Sequence, residues 1–222
     1  MALTEDKARL IKKAGGVGLR LFAVRSAYLV WRELGLHTNS RVDPEASKAY
    51  LGGINTHKGF FVPVINALDC YLPVELDTII NQSGKDSFQQ LIKGMRGIGK
   101  DYQSEFLVLI KKHSDAIKKI NTLRDKVYAH KDRKVNLSMM TMPSVQQYDE
   151  LFEDLQNFFN RITSDALDHS TWFFQDKDME AQADTHLVMD NLLRGEAQRI
   201  NEIDVELHRK LFEDGRRHWE ST

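Results

Sequence analysis

The chain has 222 residues, 41% apolar and 28% charged, with only four prolines and thirteen glycines. That composition fits a soluble globular domain with a real core and excludes collagen-like or low-complexity architecture. Net charge is formally −1, but residues 1–135 carry 23 Lys and Arg against 14 Asp and Glu, and the remainder 8 against 18; a basic front half suggests a polyanion partner.

Along the chain, apolar residues recur at three- and four-residue steps. Examples are Ile54, Phe61, Val64 and Leu68; Phe106, Leu109, Ile110, Ile117, Ile120, Leu123 and Val127; and Tyr148, Leu151, Phe152, Leu155, Phe158, Phe159 and Ile162. This is the period of amphipathic helices, and no alternating run reads as a strand. The spacing predicts helices over 4–34, 44–71, 86–97, 101–131, 144–169 and 184–214. Gly15, Gly16 and Gly18 are expected to break the first, and Pro63 to kink the second. Asp43-Pro44-Glu45 reads as a helix start, and Ser87 with Gln90 and Ser144 with Gln147 as capping boxes. The fold class is all-α, with the 106–127 stretch at the centre of the bundle. Residues 1–170 would form the bundle, and 171–222 a helical extension packed on the same domain. No uninterrupted apolar run approaches the ~18–20 residues of a membrane span, and the first residues lack a signal pattern. The expectation is therefore a cytoplasmic protein without a membrane partner.

Several chemistries fail on spacing. No histidine has a Glu three positions before it, as carboxylate-bridged di-metal bundles require, and His-Glu-x-x-His is absent. Gly15-Gly16-Val17-Gly18 lacks the Gly-Lys-Ser/Thr of a phosphate loop. The single cysteine, Cys70, rules out a disulfide framework or a cysteine-based zinc site and reads as core or groove filler. His57, a helical step from Ile54 and Phe61, reads as a satisfied core histidine. No metal or cofactor is expected.

The densest basic stretch, 111–134, holds nine Lys and Arg against Asp115, Asp125 and Asp132, and His113 within it is a candidate to join a groove for a polyanion. It contains Leu123-Arg124-Asp125-Lys126-Val127-Tyr128-Ala129-His130-Lys131-Asp132. Five residues separate Arg124 from His130, and the string resembles the signature of the HEPN superfamily (higher eukaryotes and prokaryotes nucleotide-binding): Arg, a polar residue, then His, late in a bundle helix. The flanking residues are similar to the abortive-infection AbiU-like branch, as are Tyr28-Leu29-Val30-Trp31-Arg32-Glu33-Leu34, Asn55-Thr56-His57-Lys58-Gly59-Phe60-Phe61 and Ser87-Phe88-Gln89-Gln90-Leu91 in the same order. The likeness spans about residues 20–165. A second Arg–His spacing, Arg32 to His37, lacks these surroundings, and Gly35 is expected to interrupt its helix.

The resemblance implies a metal-independent endoribonuclease, or an RNA-binding toxin-like protein of bacterial defence. The residue types suit that chemistry. Turning a 2′-hydroxyl into a nucleophile needs a proton acceptor near neutrality, which His130 supplies. Arg124 offers a donor fork for the phosphorane charge. Asp125 would orient either of them, and Lys126 and Lys131 would hold flanking phosphates. Arg124 and His130 are six positions apart, about 120° around an unbroken helix, so a complete site is easier to assemble from two facing copies. The resemblance implies the same homodimer. The toxins paired with a nucleotidyltransferase antitoxin carry Tyr two positions after the His, where this chain has Asp132, so neither that partner nor that modification is carried over. A non-catalytic nucleotide-binding, nucleic-acid-binding or assembly module is the alternative. In it Arg124 only bridges to Asp125 or to an acid of the last helix.

Overall fold

The computed structural model describes residues 2–37, 44–81, 86–129, 141–167 and 175–202. They form eight α-helices: α1 (Ala2–His37), α2 (Pro44–Thr56), α3 (Lys58–Ile80), α4 (Phe88–Arg96), α5 (Gln103–Lys112), α6 (Ser114–Ala129), α7 (Val145–Leu167) and α8 (Gln175–Glu202). No strand occurs among the described residues, and the fold is an all-α bundle.

Local signals place several boundaries. Ser87 Oγ accepts from the Gln90 amide at 3.3 Å and caps α4. At α7 the box is reciprocal: Ser144 Oγ accepts from Gln147 N at 3.1 Å, and Gln147 Oε1 accepts from Ser144 N at 3.0 Å. Each satisfies amides that a helix start leaves without an intrahelical partner. Helix α2 begins at Pro44 with Glu45 in its first turn.

Other boundaries differ from the sequence expectation. Helix α1 runs unbroken through Gly15, Gly16, Gly18 and Gly35. Gly16 is a close-approach site: a Cβ there would lie 2.5 Å from Asp86 Oδ1. Buried Leu10, Ala14, Val17, Leu21, Val24 and Tyr28 hold the helix against the core, which outweighs the ~1 kcal/mol per residue that glycine costs a helix. The expected 44–71 helix breaks at His57 (φ −109°, ψ 32°), where Gly52, Gly53, Asn55, Thr56 and Gly59 are weak helix formers. Helix α3 then continues through Pro63 and Pro73 to Ile80. The expected 101–131 helix divides at His113 (φ −100°, ψ 21°).

The centre also lies elsewhere. Helix α1, rather than the 106–127 stretch, touches α2, α3, α4, α7 and α8, whereas α6 touches α3, α5 and α7. The length of α1 is the reason: at ~1.5 Å per residue a helix of 36 residues can pass several neighbours in turn. The main core interleaves Leu21, Val24 and Tyr28 of α1 with Leu72, Leu76 and Ile79 of α3, Leu91 and Met95 of α4, Ile117 and Ile120 of α6, and Tyr148, Phe152, Leu155 and Phe159 of α7. A second cluster of Leu34, Tyr50, Ile54, Phe61 and Met189 docks α8 on the far end of α1.

Helix α3 is, by length and composition, apolar enough to cross a membrane, with a mean hydropathy of 1.3 over its best 18 residues. Lys58, Asp69, Glu75 and Asp77 interrupt the run, so a search for uninterrupted apolar sequence passes over it. Its second half is core: Leu72, Pro73, Leu76, Asp77, Ile79 and Ile80 are all buried. Phe60 and Val62 in its first half, and Tyr71 just past its midpoint, are exposed.

Candidate functional site: a guanidinium held by a buried carboxylate

Helix α6 presents Ala116, Ile117, Ile120 and Leu123 to the core, so Arg124 leaves the helix at the edge of that face. It reaches onto α3, where its Nη1 donates to Asp77 Oδ2 at 2.5 Å. Asp77 has no exposed side-chain surface. Its other oxygen accepts from Asn81 Nδ2 at 2.9 Å, and the same amide donates to Asn121 Oδ1 at 3.0 Å. Asp77 and Asn81 are four apart on α3, and Asn121 and Arg124 three apart on α6; each pair therefore shares a helix face. Arg124 pairs with the earlier α3 residue and Asn121 with the later one, so the two helices run antiparallel here.

Asp125 closes the other side. Its Oδ1 accepts from Arg124 Nε at 3.0 Å and Nη2 at 2.6 Å. Burial works against the guanidinium charge, but the hydrogen bonds to Asp77 and Asp125 outweigh it and hold the Arg124 pKa above its ordinary value. Three of the five N–H donors of a guanidinium are thus engaged by described residues. The side chain remains 23% exposed, which leaves an edge that a ligand can reach.

Of the expected site residues, the structure brings Arg124 and Asp125 into direct contact. Lys126 belongs to α6, but its side chain lies outside the described residues, and so do His130 and Lys131 entirely. Asp77, Asn81 and Asn121 are additions to the expected set: among the described residues Arg124 bridges to Asp125, as the alternative expects, and to Asp77 of α3. The available signal was an acid on the apolar face of the stretch 72–80, with Asn a four-residue step later at its end. A charge buried on such a face requires a partner.

The basic stretch is not one continuous face. Lys119 pairs with Asp115 at 2.8 Å, and Lys112 with Asp154 of α7 at 2.5 Å. His113 is buried, with Nε2 2.6 Å from the same Asp154 oxygen, so it anchors α5 and α6 to α7 and is not part of a groove. Acids of the second half likewise take cations of the first: Asp149 takes Arg32 at 2.8 Å and Asp165 takes Lys100 at 3.2 Å. Part of the charge asymmetry is therefore complementarity between helices. Cys70 is half-buried; burial first, then Asp69, push its thiol pKa up, the opposite of an activated nucleophile. His57 is only half-buried and begins α3 without a side-chain cap. Among the described residues no three His, Cys, Asp or Glu converge as a metal site.

The Asp154 cluster has a pH signature. Burial raises its pKa, but the hydrogen bonds from Lys112 and His113 prevail and hold it below the usual carboxylate range. A depressed folded pKa contributes stability above the unfolded value near ~3.9, and that stability is lost as pH falls through the folded value. Asp154→Ala should thus cost about 1.5–3 kcal/mol at neutral pH, the range for hydrogen bonds to charged groups. The gap to the parent protein should close below pH ~4 in urea titrations run across pH; a gap that persists at pH ~2 would contradict this account.

Residues 19–188 match the HEPN-type family described as AbiU2. The match contains the Arg124–His130 segment and extends into α8, beyond the likeness legible in the sequence. No curated protein and no solved structure matches the chain.

Proposed function

The chain belongs to the AbiU2 family of HEPN abortive-infection domains, and on that premise we propose that it is a metal-independent endoribonuclease of bacterial defence, acting at a cleft shared by two copies. The observation that carries this reading is the anchoring of Arg124 by a fully buried carboxylate. A guanidinium fixed on one edge is pre-organised to offer its other edge to a phosphate, and pre-organised charge is what stabilises a phosphorane.

The two carboxylates have different roles. Asp77 is buried and stays in place. Asp125 is 67% exposed, so it exchanges easily with a phosphate oxygen, and Nε and Nη2 then form the fork that grips the substrate. Two acids on one guanidinium over-neutralise it. Approach of RNA therefore relies on Lys126 and Lys131 for attraction. His130 takes the proton of the 2′-hydroxyl. The test is RNA cleavage by the purified chain and its loss in His130→Ala, argued in the Discussion.

The dimer in this proposal is supported by the six-residue spacing of Arg124 and His130 and by the apolar surface that α3 leaves outward at Phe60, Val62 and Tyr71. A symmetric pair would bury such surface. Sedimentation at micromolar concentration should report a dimer; a lone monomer that still cleaves RNA would remove the shared cleft from the mechanism.

A second reading rests on the same contacts. The Asp77–Arg124 and Asn81–Asn121 bonds tie α3 to α6, which is also what a purely structural lock would do, in a module that binds RNA or assembles without cutting. Binding without cleavage, unaffected by His130→Ala, would select it.

A further inference from the structure

Among the described residues internal pairing absorbs much of the positive charge, but cations gathered at one cleft are left out of it. The N-terminal part of α1 and the helix α4 flank a cleft of about 360 Å³ lined by Asp6, Arg9, Leu10, Lys13, Lys93 and Ile98. Arg9 and Lys93 are exposed and have no ion-pair partner among the described residues. Lys13 is half-buried between them and donates to the Gln90 carbonyl at 3.0 Å. We propose that this cleft is a second binding site, separate from Arg124, for the phosphate groups of a nucleotide or of an RNA end, with Arg9, Lys13 and Lys93 taking the charge.

Three like charges around one small cavity repel one another and are stable together only in water or around an anion. Lys13 registers the strain: burial, then Arg9 and Lys93, lower its pKa against a weaker opposing effect of Asp86. One lining carboxylate, Asp6, faces three cations, so the cleft favours a multiply charged anion over a simple carboxylate. Leu10 is buried and Ile98 half-buried, which gives the cavity an apolar floor for the part of the ligand beyond its phosphates. The volume lies at the small end of the ~300–1,000 Å³ of ligand pockets, which suits a compact phosphate group better than a running strand. Gly94 makes the geometry possible, since a Cβ there would lie 2.5 Å from Leu10 Cδ2. None of this depends on whether Arg124 and His130 cut RNA.

The experiment is calorimetric titration of the full chain with inorganic triphosphate and with ATP, alongside fluorescence binding of one RNA carrying either a 5′-triphosphate or a 5′-hydroxyl. Arg9→Ala/Lys93→Ala removes two exposed charges and should weaken triphosphate binding about tenfold or more, the loss of ~1.4 kcal/mol or more of contacts. Lys48→Ala/Lys58→Ala, two exposed cations on α2 and α3, removes the same net charge and should leave binding within about twofold, the scale of screened long-range charge. ATP binding that triphosphate reproduces assigns the free nucleotide as ligand. Preference for the 5′-triphosphate RNA, lost in Arg9→Ala/Lys93→Ala, assigns an RNA end. The proposal is overturned if no probe saturates at millimolar concentration, if Arg9→Ala/Lys93→Ala binds as the parent does, or if the α2/α3 control loses as much.

Discussion

Replacing Arg124 with alanine is expected to destabilise the fold by about 3 kcal/mol, the lower part of the ~3–5 kcal/mol range for breaking a buried ion pair. It would appear as a lower urea midpoint at unchanged slope. The cause is Asp77: it has no exposed side-chain surface, and it would lose the guanidinium that compensates its charge. Asn81 still donates to its other oxygen, which places the cost at the lower end. An arginine fills no apolar position of the helical period, yet the Asp77 contact makes Arg124 part of the fold. Arg124→Ala/Asp77→Asn should recover much of the loss, because the second change removes the stranded charge. A single variant as stable as the parent would mean that the pair is not the lock between α3 and α6. For activity measurements the consequence is direct: lost cleavage in Arg124→Ala mixes chemistry with folding. Arg124→Lys, which keeps a cation near Asp77 but loses the planar fork, is the cleaner variant.

What the sequence disclosed follows the range of the interactions concerned. Both serine caps span three residues, and both appear as expected. The helical period of α7 is equally local, and its buried residues follow the expected steps. The continuity of α1 is not local. Whether Gly16 breaks a helix or admits a neighbour depends on Asp86, seventy positions later. The division at His113 depends likewise on Asp154, and the setting of Arg124 on Asp77, forty-seven residues earlier. The motif could therefore be found by its own spacing, whereas the residues that hold it could not. A periodicity argument scores Asp77 as an interruption of an apolar face and does not ask what compensates it. The same limit applies to charge: counting gave a basic half and an acidic half, but only the fold distinguishes Lys112, paired with Asp154, from Arg9 and Lys93 beside an open cleft.

If the chain cleaves RNA, His130→Ala should lower the rate by about 10²–10⁴, the usual loss when a positioned proton acceptor is removed. Stability is the control that separates this variant from Arg124→Ala, and a urea curve matching the parent is required before the rate is read. The nucleophile is the substrate's own 2′-hydroxyl. An RNA with 2′-deoxyribose at the cut site should therefore bind with unchanged affinity and stay intact, and EDTA should leave the rate alone. Arg124→Lys should lose rate more than affinity, because an ammonium still attracts phosphate but cannot present two fixed N–H groups to the phosphorane. The other Arg–His spacing offers a negative control, though not through its arginine. Arg32 donates to Asp149 and to Gln182 and so ties α1 to α7 and α8. His37→Ala is the usable variant, and it should cleave like the parent. Cleavage that persists in folded Arg124→Lys/His130→Ala would remove both residues from the chemistry. The Asp77–Arg124 pair would then be a structural lock only, and the cutting would have to be carried by other groups than these two.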